Sequence, residues 1–208
     1  MATRRYTKKR RAEQESETRL RIVEAVCELH GEIGPARTTI TAIAERAGVE
    51  RLTVYRHFAD EGEIFAACGA HLEARNPPPD PAAWAGIAEP AARLRAALLA
   101  FYDYYRRAEP HLARAQRDAA ELPALAAVLA PFDQFLEEVR DDLQARWPAS
   151  DGARARLAAA IGHALRLETW RSLAHVEELD DAAAADLMVD FACAAAAAPL
   201  AGPPYQSR

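Results

Sequence analysis

Residues 38–58 read TTITAIAERAGVERLTVYRHF. Behind Thr38 or Thr39, either of which can cap a helix through its hydroxyl, the residues Ile40, Ile43, Ala44 and Ala47 recur at helical spacing. Gly48 is suited to end that helix, because it enters the left-handed conformation without a steric penalty. A shorter helix is predicted from about Arg51 to His57, with Val54 and the following Phe58 turned inward. Ala44 and Ala47 are small enough for the two helices to cross closely around Gly48-Val49. The short helix then presents Arg51, Thr53, Tyr55, Arg56 and His57 to solvent. At 1.5 Å per residue it is a rod of roughly 10 Å, one end of which suits a DNA major groove about 12 Å wide.

Working outward, Leu20, Val23, Ala25, Val26 and Leu29 put an apolar stripe on a helix from about Glu15 to Glu32, closed by Gly34-Pro35. Asp60 caps a fourth helix carrying Ile64, Phe65, Cys68 and Leu72. The run Asn76-Pro77-Pro78-Pro79-Asp80-Pro81 cannot continue a helix, since proline lacks the amide hydrogen. Residues 76–89 are therefore predicted to be a linker, with one turn around Trp84. Helical patterns follow over about 90–108, 109–119, 122–147, 152–177 and 181–198, with Pro110, Pro123 and Pro148 at or near starts and stops. No stretch alternates with a period of two, so the fold class is all-α. The predicted organisation is a flexible basic arm (1–14), a helix-turn-helix domain (15–75, motif about 38–57), the proline-rich linker (76–89), a helical body (90–198) and a disordered tail (199–208).

Half of the 208 residues are hydrophobic and only 9 are glycine, enough for a substantial core. The net charge of −5 is unevenly spread: residues 1–57 hold 12 Lys and Arg against 8 Asp and Glu, and the remainder 14 against 23. Lys8 and Lys9 sit beside Arg4, Arg5, Arg10 and Arg11, so the basic end is suited to phosphate and the acidic body to another task. Cys27, Cys68 and Cys193 are odd in number and far apart, which argues against a disulfide framework or a metal site. No apolar run reaches the 18 or so residues of a bilayer span, and the basic N-terminus lacks the apolar stretch of a secretory signal. A cytoplasmic protein without membrane attachment, metal or cofactor is expected.

The run TxxAIAERAGVxxxTVYRHF, followed by a short turn and the apolar Ile64-Phe65, resembles the DNA-binding domain of the tetracycline-repressor (TetR) family over about residues 17–75. The resemblance implies that Thr38, Thr39 and Thr41 meet backbone phosphate, aided by the positive end of their helix. It places Tyr55 and His57 on phosphates flanking the groove, and Arg51, Leu52, Thr53 and Arg56 against base edges, where arginine can pair with guanine. Tyr55 also has the alternative of packing half its ring on the first helix. Two departures stand out: Glu50-Arg51-Leu52 opens the recognition helix where relatives carry Ser or Thr, then Lys or Arg, then Gly. Glu61 replaces a lysine that commonly meets phosphate, which weakens that contact unless the basic arm compensates.

For the body, the resemblance implies an apolar pocket for a small effector and pairing of the last two helices with a second subunit. Expected pocket residues are Phe101, Tyr102, Tyr105, Gln116, Leu129, Phe132, His163, Leu167 and Trp170, with Glu168 a further polar candidate. Expected dimer contacts are Leu157, Ile161, Leu165, Met188 and Phe191. Core packing is the competing explanation for each of these, and a hydrogen-bonded core position for His163. A homodimeric repressor on an inverted-repeat operator, released by the effector, is the function so implied. One alternative makes the body a docking surface for another protein. An enzyme would have to use Glu137-Glu138, Asp141-Asp142, Glu177-Glu178 and Asp180-Asp181, which point around helix surfaces rather than converge.

Overall fold

The computed structural model describes residues 2–197, and among these are ten α-helices and no strand. They are α1 (Ala2–Glu32), α2 (Ile40–Ala47), α3 (Arg51–His57), α4 (Glu61–Arg75), α5 (Ala82–Ala85), α6 (Pro90–Ala119), α7 (Pro123–Ala145), α8 (Asp151–Ala164), α9 (Leu167–Arg171) and α10 (Asp181–Ala197). A 3₁₀ turn, Pro35–Arg37, precedes α2, and a π turn, Ser172–Val176, follows α9. The tail predicted at 199–208 lies outside the described residues. Among them no helix is long and apolar enough to cross a membrane.

The chain divides into two compact units, Met1–Pro77 with Ala108–Ala130, and Pro78–Arg107 with Pro131–Arg208. The sequence placed a single division in the 76–89 linker; the return of 108–130 to the first unit is a long-range feature with no local signal. In that unit, Ile22, Val23, Val26, Cys27 and Leu29 of α1 form one buried cluster with Ile43, Ala44, Ala47, Val54, Phe58, Ile64 and Cys68. Leu20, predicted on the apolar stripe, is 48% exposed; Ile22, at 0%, takes its place. The Asp118 carboxylate accepts the Ala36 amide (2.9 Å) and the Arg117 Nε–H (2.7 Å), fixing the turn that follows α1. His111 Nε2 lies 3.0 Å from the Cys27 carbonyl oxygen.

The arm predicted to be flexible is the start of α1. Its Ala, Arg, Lys, Glu and Gln residues are strong helix formers, and Lys9 pairs with Glu13 one turn on at 3.8 Å. The expected break near residue 109 is absent: α6 runs through Pro110, and α7 likewise contains Pro131. Conversely, the helix expected over 152–177 is broken between α8 and α9. The carbonyls there take side-chain partners: Thr169 Oγ donates to His163 O (2.6 Å), which also accepts the Arg166 amide (3.1 Å), Tyr102 donates to Ala164 O (3.1 Å) and Tyr105 to Leu165 O (2.5 Å).

In the second unit the linker is anchored rather than free. Trp84 is buried at 1% exposure, and buried Arg93 donates to the Trp84 and Ala85 carbonyls (3.1 and 2.6 Å) and to Asp142 (2.6 Å). Leu94, Leu98, Phe101, Tyr102, Tyr105, Leu157, Ile161 and Trp170 are among its largest fully buried side chains.

His30 is buried against Phe65, ring centroids 5.7 Å apart. Its pKa is lowered from 6.5 to about 4, chiefly by burial and then by repulsion from His111, with Asp118 opposing. Between those two values the unfolded chain binds more protons, so the contribution is complete above pH 6.5 and is lost as pH falls toward 4. The stability of the full chain is expected to fall over that window by roughly 3 kcal/mol in total. His30→Phe should flatten that part of the pH curve in calorimetry; superimposable curves for the two proteins would refute this role.

Candidate nucleic-acid interface

Local chemistry sets α2 and α3. The Thr39 hydroxyl accepts the Ala42 amide (3.1 Å) and caps α2. Gly48 ends α2 at φ 64°, ψ 41°, and the Val49 amide then bonds back to Ala44 O at 2.9 Å. Two residues later α3 begins behind Glu50, which makes no side-chain cap. Val54 (0% exposed) and Phe58 (2%) fasten α3 to the buried cluster. Arg46 of α2 is clamped to α1 by Glu28 (3.0 Å) and Glu32 (2.8 Å); these bonds raise its pKa further, while its guanidinium lowers that of Glu32.

The outward side of α3 is open. Arg51, Leu52, Tyr55 and Arg56 are exposed, Leu52 by 69% and Tyr55 by 51%, whereas Thr53 and His57 are half-buried. Beside α3 lies a depression of about 340 Å³, lined by Thr38, Thr39, Thr41, Arg51, Tyr55 and Glu61, with His30, Ile43, Ile64, Phe65 and Leu122 among the residues beneath. The residues that the sequence assigned to phosphate thus converge, apart from His57, which does not line this depression. The Thr38 hydroxyl already donates its hydrogen to Gly34 O (2.9 Å), so a phosphate in the depression would draw on Thr39, Thr41 and the first amides of α2. Glu61 sets a carboxylate at the same place, at the start of α4, where Asp60 caps the Glu63 amide (2.9 Å) and Glu63 accepts the Ala59 amide (2.9 Å).

Sequence reasoning passed over Arg19. Its guanidinium lies 4.1 Å above the Phe58 ring and donates to the His57 carbonyl (2.7 Å), closing the end of α3. An arginine on the polar side of α1 carries no local sign of this task.

The expected pocket and interface residues are distributed differently. Phe101, Tyr105 and Trp170 form an aromatic chain (5.9 and 6.2 Å), extended by Phe135 to Phe132. The hydroxyls of Tyr102 and Tyr105 are used by main-chain carbonyls, and Leu167 is buried in the same unit. Gln116 and Leu129 belong to the first unit, and His163 is exposed rather than set in a core. Leu157, Ile161 and Leu165 are 0–1% exposed and Met188 8%, so they fill the protomer's own interior and are not available to a second subunit. Phe191, one turn from Leu187, is exposed (50% and 46%). The two aspartate pairs hold structure: Asp142 holds Arg93, Asp141 accepts from Arg140 and Gln144, Asp180 caps α10, and Asp181 accepts from Trp170.

Two short helices joined by a left-handed glycine, with the second presenting an open polar face, define a helix-turn-helix head in an otherwise helical chain. Residues 22–68 match the family described as bacterial regulatory proteins, tetR family. Over 59 residues the chain is 42% identical to the HTH-type transcriptional regulator TtgR of Pseudomonas putida, a match that spans 28% of this chain and 28% of that protein's length. The fold is similar well beyond the head. A TetR-like transcriptional regulator from Rhodococcus sp. RHA1 aligns with a TM-score of 0.61 and 22% identity, covering 85% of this chain and 94% of that one. The multidrug binding protein EbrR, solved with imidazole, aligns at 0.54 and 18%, covering 84% and 89%. The head of this chain, residues 22–68, is thus similar to that of the tetR-family regulators, and the helical fold of the whole chain is similar to theirs.

A Cβ added at Gly48 would meet nothing within 4 Å, so the only penalty of a larger residue is its left-handed backbone. Gly48→Ala is expected to destabilise by about 1 kcal/mol, without structural rearrangement, in denaturant titration. A loss several times larger would mean that the turn tolerates no side chain.

Proposed function

We propose that the protein binds double-stranded DNA as a homodimer, with α3 of each subunit in the major groove of an inverted-repeat operator, and represses transcription until a small apolar effector binds the helical body. The open face of α3 carries this reading. Arg51 and Arg56 can read guanine edges and Leu52 a thymine methyl, while the depression lined by Thr39, Thr41 and Tyr55 suits a neighbouring phosphate. One α3 covers only a few base pairs, so specific binding calls for two half-sites. Pairing through α10 is favoured by exposed Leu187 and Phe191. On α8, exposed Ala155 and Ala159 and half-buried Gly162 would allow close approach of a second copy. For the effector, the half-buried Phe132 and Phe135, continuous with Phe101, offer an aromatic edge into which an apolar molecule could insert.

The experiment is a titration of duplex from the region upstream of the protein's own gene over a range of salt, with wild type and Glu61→Lys. The substitution turns a repulsive group at the phosphate depression into an attractive one. Operator affinity is expected to rise several-fold, and the slope of log K against log salt to steepen by about one. Absence of sequence-selective binding by either protein would overturn the regulatory reading. Separately, Phe191→Glu would place a carboxylate in the α10 face and is expected to shift the protein from dimer to monomer at micromolar concentration in sedimentation equilibrium. An undisturbed dimer would move the interface elsewhere.

A further inference from the structure

Cys27 of α1 and Cys68 of α4 bring their sulfur atoms to 3.0 Å from one another, although 41 positions separate them in the chain. Both are free thiols, and both are buried, at 6% and 4% exposure. Neither belongs to the open face of α3, yet the segment between them contains the whole of α2, the Gly48 turn and α3. We propose that Cys27 and Cys68 form an oxidisable dithiol, which a hydroperoxide closes into an intramolecular disulfide tying α1 to α4 around the helix-turn-helix.

A covalent S–S bond is about 2.05 Å long, so closure needs an approach of only about 1 Å. The contact between the two sulfurs also separates their chemistry. Hydrogen bonding from Cys68 holds the Cys27 thiol below its ordinary value, while the same contact and burial push Cys68 up. Cys27 is therefore the sulfur better able to attack, and Cys68 the one placed to resolve. In the first step Cys27 Sγ, having lost its proton, attacks one peroxide oxygen; the O–O bond breaks, and the departing oxygen leaves as water or alcohol with that proton. Cys68 Sγ then attacks the sulfenic sulfur, the S–O bond breaks, and the oxygen leaves as water with the Cys68 proton. Two thiols and one hydroperoxide give one disulfide, one water and one further water or alcohol. Burial makes the reaction depend on brief opening of α1 from α4, so it should run more slowly than oxidation of exposed Cys193. Once formed, the bond removes much of the freedom of the enclosed segment in the unfolded chain.

The test uses the full-length protein treated with hydrogen peroxide, then unfolded and titrated for thiols. The thiol count reads the pair itself, whether or not the DNA-binding function proposed above holds. To keep Cys193 out of the count, Cys193→Ser is treated in parallel. In that variant both remaining thiols should disappear, return on addition of dithiothreitol, and yield a linked peptide containing Cys27 and Cys68 by mass spectrometry, with a melting temperature several degrees higher in the oxidised form. Cys27→Ser and Cys68→Ser should give no such internal link; should either fail to fold, the Cys193→Ser result decides alone. Two titratable thiols persisting in peroxide-treated Cys193→Ser, or linkage only between molecules, would overturn the proposal.

Discussion

A helix of seven residues cannot hold itself together in water, and α3 has no more than that. Its existence and its direction depend on Val54 and Phe58, which are buried in a cluster supplied by α1, α2 and α4. Arg19 completes the attachment, since its guanidinium both covers the Phe58 ring and bonds the carbonyl of His57. With the helix so fastened, Arg51, Leu52, Tyr55 and Arg56 are released to face solvent, while Thr53 and His57 stay half-buried at its flanks. Everything proposed about DNA follows from this division of labour along two turns of helix.

Charge is divided in a similar way. The excess of basic residues in the first 57 positions reads as a phosphate-binding surplus, but several of those cations are committed to structure. Arg46 is held by two glutamates of α1, Arg19 by Phe58 and the end of α3, and Arg21 reaches the Ala47 carbonyl at 3.5 Å. Arg51 and Arg56, by contrast, stand on the open face. In the proposed DNA complex, the acid at Glu61 beside the depression would tilt recognition away from bulk attraction and toward specific contacts.

The head was legible because its signals are local. A capping threonine, a glycine that turns left-handed and a four-residue apolar rhythm all act within a few positions of one another, and Thr39, Gly48, Ile43 and Ala47 could be read without knowing anything else. The misreadings arise where distant groups decide. Nothing within 151–171 announces the break between α8 and α9, because hydroxyls from Tyr102 and Tyr105 on α6 help to satisfy the carbonyls there. Leu157, Ile161 and Leu165 match an intersubunit stripe and an internal one equally well; only the path of α6 and α10 reveals that they point inward. Periodicity tells which side of a helix is apolar, and it cannot tell which neighbour that side will meet.

The bond from the Ala36 amide to Asp118 spans 82 positions. Around it, Arg117 and Asp118 crowd the space a side chain would need at Gly34, and Val128 lies beside Gly69. The unit that bears the helix-turn-helix is therefore discontinuous in the chain. During synthesis the first 77 residues would emerge with a turn still unfastened, and could reach their final arrangement only after the segment 108–130 had followed. A nascent head of this kind would acquire its finished shape only after the first stretch of the second unit, residues 78–107, had already left the ribosome.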